Sequence, residues 1–219
     1  PGEDEQFEAY TRAFDGMQGL PVTIRTVDIG ADKPLTEIHQ DEDSHLNPAL
    51  GLRAIRWCLA DPQMFLTQLR AILRAAAYGK INLLIPMLAH VAEIRQALTL
   101  IDEARTQLDE RGVAHGAVRL GAMIEVPAAA LMLPTFLRHF DFLSIGTNDR
   151  IQYTQAIDRA DESVAHLYDP LHPAVLRLVA DTIAQADAAG KGVSVCGEMA
   201  GDAGMTRLLL GLGLRSFSM

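Results

Sequence analysis

Six short apolar runs recur along the chain, and longer stretches with apolar residues at helical spacing separate them. The runs are centred near Ile24, Leu84, Met123, Leu143, Val195 and Phe217. Runs of this length predict buried strands, whereas the amphipathic stretches 62–78, 91–111 and 175–189 predict helices. Strands that alternate with helices indicate a parallel sheet, and we therefore assign the chain to the α/β class.

Side chains that can bind ligands follow the predicted strands at their carboxyl ends. Glu125, Asn148, Asp149 and Cys196 all end or follow one of these runs. A TIM-type (β/α)8 barrel distributes its site over many strand ends, whereas a doubly wound sheet concentrates it at one switch point. Six strands are fewer than eight, so we predict a (β/α)8 barrel truncated at both ends. It would form a single incomplete domain over residues 1–219.

Composition and charge argue against several classes of partner and location. The chain has 219 residues, 49% of them hydrophobic, which is enough for a sizeable core. A net charge of −9 argues against nucleic acid or an anionic membrane as the main partner. No apolar run approaches the ~20 residues that span a bilayer, and an acidic segment stands where a signal peptide would begin. We therefore expect a cytoplasmic protein.

The stretch 142–159, FLSIGTNDRIQYTQAIDR, carries the densest chemistry. Its apolar start predicts a strand, and the chain must turn at residues 146–149. Asp149 suits a hard cation, and Asn148 suits a polar or anionic ligand. Both residue types are also preferred helix N-caps, so a purely structural role is the alternative at this point.

Glu125 and Asp149 end successive strands and are therefore neighbours at one rim of the predicted barrel. Two carboxylates, with the other positions left for substrate and water, are the usual protein share of a Mg²⁺ site. The alternative is a pair of acids that cap helices. The pattern thus predicts Mg²⁺ as the cofactor and leaves capping open.

Three arginines are candidates to bind an anionic substrate at the same rim. Arg25 stands inside an apolar strand, Arg53 follows the polar loop 34–46, and Arg159 closes the central stretch. Planar bidentate cations suit phosphate and carboxylate, although surface ion pairs would also explain each arginine. A long loop such as 34–46 often covers a site.

The two cysteines differ in setting. Cys196 stands beside Gly197 at a strand end and could be an acid or a nucleophile, whereas Cys58 lies in an apolar helix and is expected to be inert. The chain lacks both the phosphate-binding loop motif and a dinucleotide-binding glycine motif after a strand. ATP or NAD binding by the usual devices is therefore not expected.

Several motifs together resemble one family over essentially the whole chain. NPALGLRAIR, AMIEVPAAA, FLSIGTND, QYTQAIDR, HLYDP and VCGEMAGD, in this order, resemble Enzyme I of the bacterial sugar phosphotransferase system. More broadly, they resemble the phosphoenolpyruvate (PEP)-utilising enzymes. The resemblance implies the C-terminal PEP-binding and dimerising barrel of a transferase. This enzyme would be a kinase-type phosphotransferase that serves sugar transport, without its N-terminal phosphohistidine and HPr-binding domains.

The resemblance also implies a role for each candidate. Glu125 and Asp149 match the Mg²⁺ ligands, and Arg25 and Arg53 match arginines that hold the phosphoryl group. Asn148 and Arg159 match contacts to PEP, and Cys196 matches the acid that protonates enolpyruvate to pyruvate. The implied partners are PEP or pyruvate, an HPr-type carrier and a second copy of the chain in a homodimer.

Two departures and two alternatives accompany this hypothesis. The family's usual leucine after Asn-Asp is Arg150 here, which either points away or weakens Mg²⁺ binding, and Ala31 replaces a usual glycine. His166, in HLYDP, is expected to be structural rather than a phosphoacceptor. The alternative functions are a pyruvate phosphate dikinase or PEP synthase barrel, and a non-catalytic dimerisation or regulatory module.

Overall fold

Ten α-helices and six β-strands make up the part of the chain that the computed structural model describes, residues 1–29 and 47–219. The strands are β1 (Val22–Arg25), β2 (Ile81–Ile85), β3 (Val118–Met123), β4 (Phe142–Gly146), β5 (Gly192–Cys196) and β6 (Ser216–Phe217). The helices are α1 (Glu3–Arg12), α2 (Ile55–Ala60), α3 (Pro62–Ala75), α4 (Val91–Glu110), α5 (Pro127–Leu131), α6 (Leu133–His139), α7 (Thr147–Gln155), α8 (Pro173–Ala188), α9 (Glu198–Gly201) and α10 (Ala203–Gly211). The expected covering loop 34–46 and Ala31 lie outside the described residues.

All six predicted strands are present, and the α/β class is confirmed. Their apolar side chains are the reason: β2 and β4 are almost wholly buried. The chain divides into two compact units, one of residues Pro1–Pro86 and Ala92–Leu120, the other of Met87–Val91 and Gly121–Met219. No helix in the described ranges is both long and apolar enough to cross a membrane.

In the first unit, β1 pairs in parallel with β2, with Val22 opposite Ile81. α3 begins sharply because Asp61 accepts a hydrogen bond from the Met64 N–H and Pro62 needs no partner for its own nitrogen. One face of α3 is fully buried, through residues that include Phe65, Leu69 and Ile72. This amphipathic pattern is the one that predicted the helix.

One carboxylate attaches α1 to the first unit. Glu3 contacts Arg70 and Arg74 of α3 at 2.7 Å and Arg111, just after α4, at 2.9 Å. Partial burial alone would raise the pKa of Glu3, but hydrogen bonds from these three arginines lower it from 4.5 to about 2. Arg74 also lies over the Phe7 ring, 4.5 Å from its centroid. α1 has no fully buried residue, so these charges contribute much of its attachment.

Glu3→Gln is expected to lower the free energy of unfolding at neutral pH by about 1–2 kcal/mol, after allowance for solvent screening at Arg111. Because folding lowers the Glu3 pKa, its contribution is complete above pH 4.5 and disappears as the pH falls towards 2. Urea unfolding at several pH values measures this difference. Asp4→Asn is the matched control, since Asp4 contacts Arg74 but is exposed; a pH-independent difference for Glu3→Gln would contradict the assignment.

The second unit holds a parallel sheet in which β4 pairs with β3 and β5, and β5 pairs with β6. Its core includes Ile145, Val195 and Ile151, with Val179 and Ile183 from α8 packed against them. β4 passes into α7 without a loop, because Gly146 ends the strand and is also the N-cap of the helix. The last residues of β4 and the first turn of α7 are therefore fixed by one core.

Two helix boundaries differ from the prediction. Arg53 and Arg56 stand three residues apart in the stretch 47–59, a spacing that predicts a helical turn. In the structure a 3₁₀ turn at Pro48–Leu50 comes first, and α2 begins only at Ile55. Ala54 interrupts the stretch with a φ of +49°, a conformation that an α-helix cannot include. The sequence also predicts a short helix over residues 206–212. In the structure this helix, α10, begins earlier, where Asp202 accepts a hydrogen bond from the Gly204 N–H.

Candidate active site

The first turn of α7 carries Asn148 and Asp149. The N-cap of α7 is Gly146, which has no side chain, so neither residue caps this helix. Thr147 is fully buried and its hydroxyl donates to the Cys196 carbonyl at 2.8 Å, which ties the start of α7 to β5. A carboxylate in the first turn is favoured by the positive end of the helix dipole.

Asn148 has a fixed amide orientation. Its Oδ1 accepts a hydrogen bond from the Glu198 backbone N–H at 3.0 Å. Gly197 permits this approach: its φ is +90°, and a Cβ there would lie 2.6 Å from Thr147 Oγ1 and 2.8 Å from Asn148 Oδ1. With Oδ1 accepting that bond, the side chain offers its Nδ2 hydrogens as donors, which suits an anionic ligand.

Glu125 follows β3 and is only 2% exposed. Its Oε1 accepts a hydrogen bond from the Met87 backbone N–H at 2.7 Å, and its Oε2 lies close above Gly146. Met87 is buried and has a φ of +61°, which is unusual for a residue with a side chain. Helix α5 has Val126 as its N-cap with no side-chain cap bond, so Glu125 is not a capping acid.

Arg150 is fully buried and does not extend into solvent beside Asp149. Its Nη2 donates to the Ile124 carbonyl, its Nη1 donates to Thr182 Oγ1 at 3.3 Å, and its Nε has no hydrogen-bond partner among the described residues. Burial lowers the pKa of the guanidinium to about 10, and the negative charge of Glu125 opposes that shift. Arg150 therefore remains a cation at neutral pH, within the field of Glu125.

Cys196 is half-buried at the end of β5, and neither cysteine forms a disulfide. Its Sγ accepts from Ser144 Oγ at 3.5 Å and donates to the Ile145 carbonyl at 3.4 Å, so the thiol is held beside β4. Cys58 is fully buried, and burial raises the pKa of its thiol to about 12. The expected inert role suits Cys58.

Arg159 follows α7 and is exposed. Its backbone N–H donates to the buried Gln152 side chain at 2.9 Å, which fixes the chain after α7. Tyr168, from the HLYDP motif, lies within the field of Arg159, Glu198 and Asp149. Burial and the two negative charges raise the pKa of its hydroxyl to about 12, while the positive charge of Arg159 opposes the shift. Tyr168 is thus a neutral donor at this site that the sequence interpretation did not include.

Arg25 and Arg53 meet in the first unit on Asp28, which the sequence interpretation also omitted. Their guanidinium groups lie 3.1 Å and 2.9 Å from the Asp28 carboxylate, and the Asp28 side chain is only 7% exposed. Arg25 ends β1 and residues 26–29 are not helical, so no periodicity in the sequence predicted this ion pair. Arg25 and Arg53 thus share one carboxylate, and the expected convergence of Arg25, Arg53 and Arg159 on a substrate stays a prediction.

The candidate metal ligands are two carboxylates. No group of three or more histidine, cysteine, aspartate or glutamate side chains that could hold a metal occurs within residues 1–29 and 47–219. Glu125 and Asp149 remain the candidate pair, each within three residues of the end of its strand and both nearly buried. Hard oxygen donors of this kind suit Mg²⁺ when substrate and water complete the coordination.

These features define an α/β protein whose polar site lies at the carboxyl ends of parallel strands. The family model for the PEP-binding domain of PEP-utilising enzymes matches residues 1–219. The chain therefore belongs to this enzyme family, as its motifs predicted.

Proteins named phosphoenolpyruvate-protein phosphotransferase are similar to the chain over its whole length. The one from Cupriavidus necator is 69% identical over 220 residues, and the one from Staphylococcus carnosus is 49% identical over 221 residues. Each alignment covers 100% of this chain and 38% of the relative. The chain thus spans less than half the length of these curated relatives.

Solved structures with lower identity share the fold. The magnesium/glyoxylate complex of Haloferax volcanii malate synthase has a TM-score of 0.60 at 16% identity, over 98% of this chain and 56% of that one. A citrate lyase from Burkholderia xenovorans has a TM-score of 0.52 at 24% identity, over 72% of this chain and 50% of that one. This likeness bears on the fold alone, and with the six parallel strands it confirms the predicted α/β fold of barrel type.

Proposed function

We propose that the chain is the PEP-binding part of a PEP–protein phosphotransferase of the Enzyme I type. In this proposal it binds Mg²⁺ and PEP, and the whole protein transfers the phosphoryl group to one of its own histidines and then to an HPr-type carrier. The protein would act in the cytoplasm as a homodimer. Relatives with this name at up to 69% identity support the phosphotransferase over the dikinase or synthase alternative.

One observation carries the proposal: acid, amide and thiol groups come from three strand ends of the second unit. Glu125 follows β3, Asn148 and Asp149 follow β4, and Cys196 ends β5. These are the groups needed to hold a cation, orient an anion and give up a proton. Three of them have partners that fix their orientation: the Met87 N–H for Glu125, the Glu198 N–H for Asn148, and Ser144 with the Ile145 carbonyl for Cys196.

Glu125 and Asp149 would hold Mg²⁺, because their donor atoms are hard carboxylate oxygens. When bound, the metal would offset negative charge on the phosphoryl group. Arg25 and Arg53 would bind phosphoryl oxygens, in exchange for their contacts with Asp28. Asn148 would donate from Nδ2, and Arg159 would bind the substrate carboxylate. Charge-assisted bonds of this kind contribute about 1.5–3 kcal/mol each.

The proposed reaction has two steps, phosphoryl transfer and protonation of the enolate. The bond between phosphorus and the enol oxygen breaks, the electron pair stays on that oxygen, and the phosphoryl group passes to the histidine nitrogen. The resulting enolate then takes a proton at its methylene carbon from the Cys196 thiol, which forms pyruvate and a thiolate. Ser144 Oγ, which already donates to Cys196 Sγ, would stabilise that thiolate until solvent returns the proton.

Isothermal titration of the chain with PEP, with and without Mg²⁺, tests the proposal. We expect Mg²⁺-dependent binding in the parent chain and a loss of at least about 100-fold in Glu125→Gln and in Asp149→Asn, because each removes an ionic ligand of the metal. The isosteric substitutions keep the volume of the side chains. Their thermal unfolding is measured in parallel.

The matched control is Asp102→Asn, an exposed acid on α4 whose carboxylate pairs with Arg105 at 2.8 Å. It should bind PEP as the parent chain does. Binding that needs no Mg²⁺, or that survives both substitutions in folded protein, would refute the assignment of these two ligands.

A further inference from the structure

Arg150 is a buried cation in the wall of the second unit. It is 0% exposed, and its guanidinium donates to the carbonyl of Ile124, the residue that precedes Glu125. A second bond reaches Thr182 of α8 at 3.3 Å. Burial of a charged group costs free energy unless partners compensate it, and here one nitrogen, Nε, has none among the described residues.

Glu125 is a buried negative charge: its side chain is only 2% exposed. Its Oε1 accepts the Met87 N–H bond at 2.7 Å, and the charge of Arg150 acts on it through a low-dielectric interior. Arg150, the residue after Asp149, is therefore a buried cation whose charge stabilises the Glu125 carboxylate in the absence of a metal. Its guanidinium points away from the solvent side of Asp149 and towards the peptide that precedes Glu125.

We propose that Arg150 is a positioning residue that acts as the internal counter-charge of Glu125 and makes cation binding depend on PEP. This inference rests on the proposed function. Arg150 holds the 124–125 peptide in place and stabilises the carboxylate when no metal is bound. Its positive charge also opposes entry of a divalent cation.

The dependence on PEP follows from charge. A free divalent cation meets two carboxylates and one internal cation, so its net attraction is weak. PEP brings several negative charges, which offset Arg150 and let the cation bind between substrate and carboxylates. The site therefore takes the cation together with PEP and discriminates against the cation alone.

Neutral and charged variants at position 150 test this proposal in the 219-residue chain. Arg150→Met removes the charge at similar length, Arg150→Gln removes it but keeps an amide donor, and Arg150→Lys keeps it. Without PEP, we expect the two neutral variants to bind Mg²⁺ about tenfold more tightly than the parent, whereas Arg150→Lys binds as the parent does. Calorimetry measures the affinity, and the Mg²⁺-induced rise in melting temperature gives an independent value.

A metal-free readout comes from the Met87 amide proton, which donates to Glu125. In Arg150→Met its NMR resonance should move upfield or broaden, since Glu125 loses its counter-charge and the 124–125 peptide loses a donor. If Arg150→Met does not fold, the Met87 resonance of Arg150→Gln is compared with that of the parent chain instead. Unchanged Mg²⁺ affinity in a folded neutral variant would overturn the proposal, whether or not the amide resonance moves.

The two proposals fail separately. Loss of Mg²⁺-dependent PEP binding in Glu125→Gln tests the function, whereas the affinity for Mg²⁺ alone across the position-150 variants tests the counter-charge. If the parent chain binds free Mg²⁺ as tightly as it does with PEP, the coupling is absent and this inference is wrong, although the proposed function would stand.

Discussion

Gly146→Ala is expected to abolish Mg²⁺-dependent PEP binding and to lower the free energy of unfolding by about 2–3 kcal/mol. The backbone at Gly146 is compatible with alanine, since its φ is −85°. The methyl group is the difficulty: it would lie 2.6 Å from Glu125 Oε2 and 2.9 Å from Glu125 Cβ. Rotation of the Glu125 side chain cannot relieve both clashes, because its Cβ is bonded directly to the backbone and does not move. Its Oε1 is also held by the hydrogen bond from the Met87 N–H.

Calorimetric titration and urea unfolding of Gly146→Ala measure the two effects. Gly192→Ala is the matched control in the same sheet, because no atom lies within 4 Å of the position that its methyl group would take. A Gly146→Ala protein with parent-like binding would mean that the Glu125 carboxylate is free to relocate, which contradicts its assignment as a preorganised ligand.

Gly116→Ala is expected to lower the free energy of unfolding by about 3 kcal/mol or more, the largest effect of an added methyl group among the described glycines of the first unit. Its Cβ would lie 2.2 Å from the Ala76 carbonyl oxygen and 2.4 Å from the carbonyl carbon. These are backbone atoms, and the Gly116 N–H donates to Leu73 at 2.9 Å, so neither segment can yield without losing a bond.

Gly16→Ala provides the control in the same unit, because nothing lies within 4 Å of its added methyl group. Urea unfolding of both variants gives the comparison, and expression in soluble form gives a coarse check. Equal stability of the two variants would show that the segments around Ala76 and Gly116 separate at little cost.

The strands were predictable because they are buried aliphatic runs that end in polar residues. β2 and β4 are the plainest examples, since burial on both faces requires a continuous apolar sequence. The helix boundaries were less predictable where the backbone takes an unusual conformation. Ala54, with its positive φ, separates Arg53 from α2. No residue type in NPALGLRAIR predicts that the helix is interrupted at Ala54.

The sequence names the candidate site residues, whose roles stay predictions, but it does not show the contacts that support them. The spacing of Glu125 and Asp149 after successive strands identified the candidate ligands, whereas the N–H group that holds Glu125 comes from Met87, 38 residues away. The direction of Arg150 depended on tertiary packing against Thr182 and was left open. Asp28 could not be found from its spacing, because Arg25 ends a strand and the pair forms only where the chain turns after β1.

The left-handed backbone at Met87 has a consequence for which sequences this fold tolerates. A β-branched residue there would add strain to a conformation that is already costly for any side chain, so valine, isoleucine and threonine are excluded on steric grounds. Glycine would relieve about 1 kcal/mol of backbone strain. It would also delete the sulfur that accepts the Tyr153 hydroxyl at 3.8 Å. Backbone strain and side-chain packing therefore favour different residues at position 87, and methionine fills the interior at the cost of that strain.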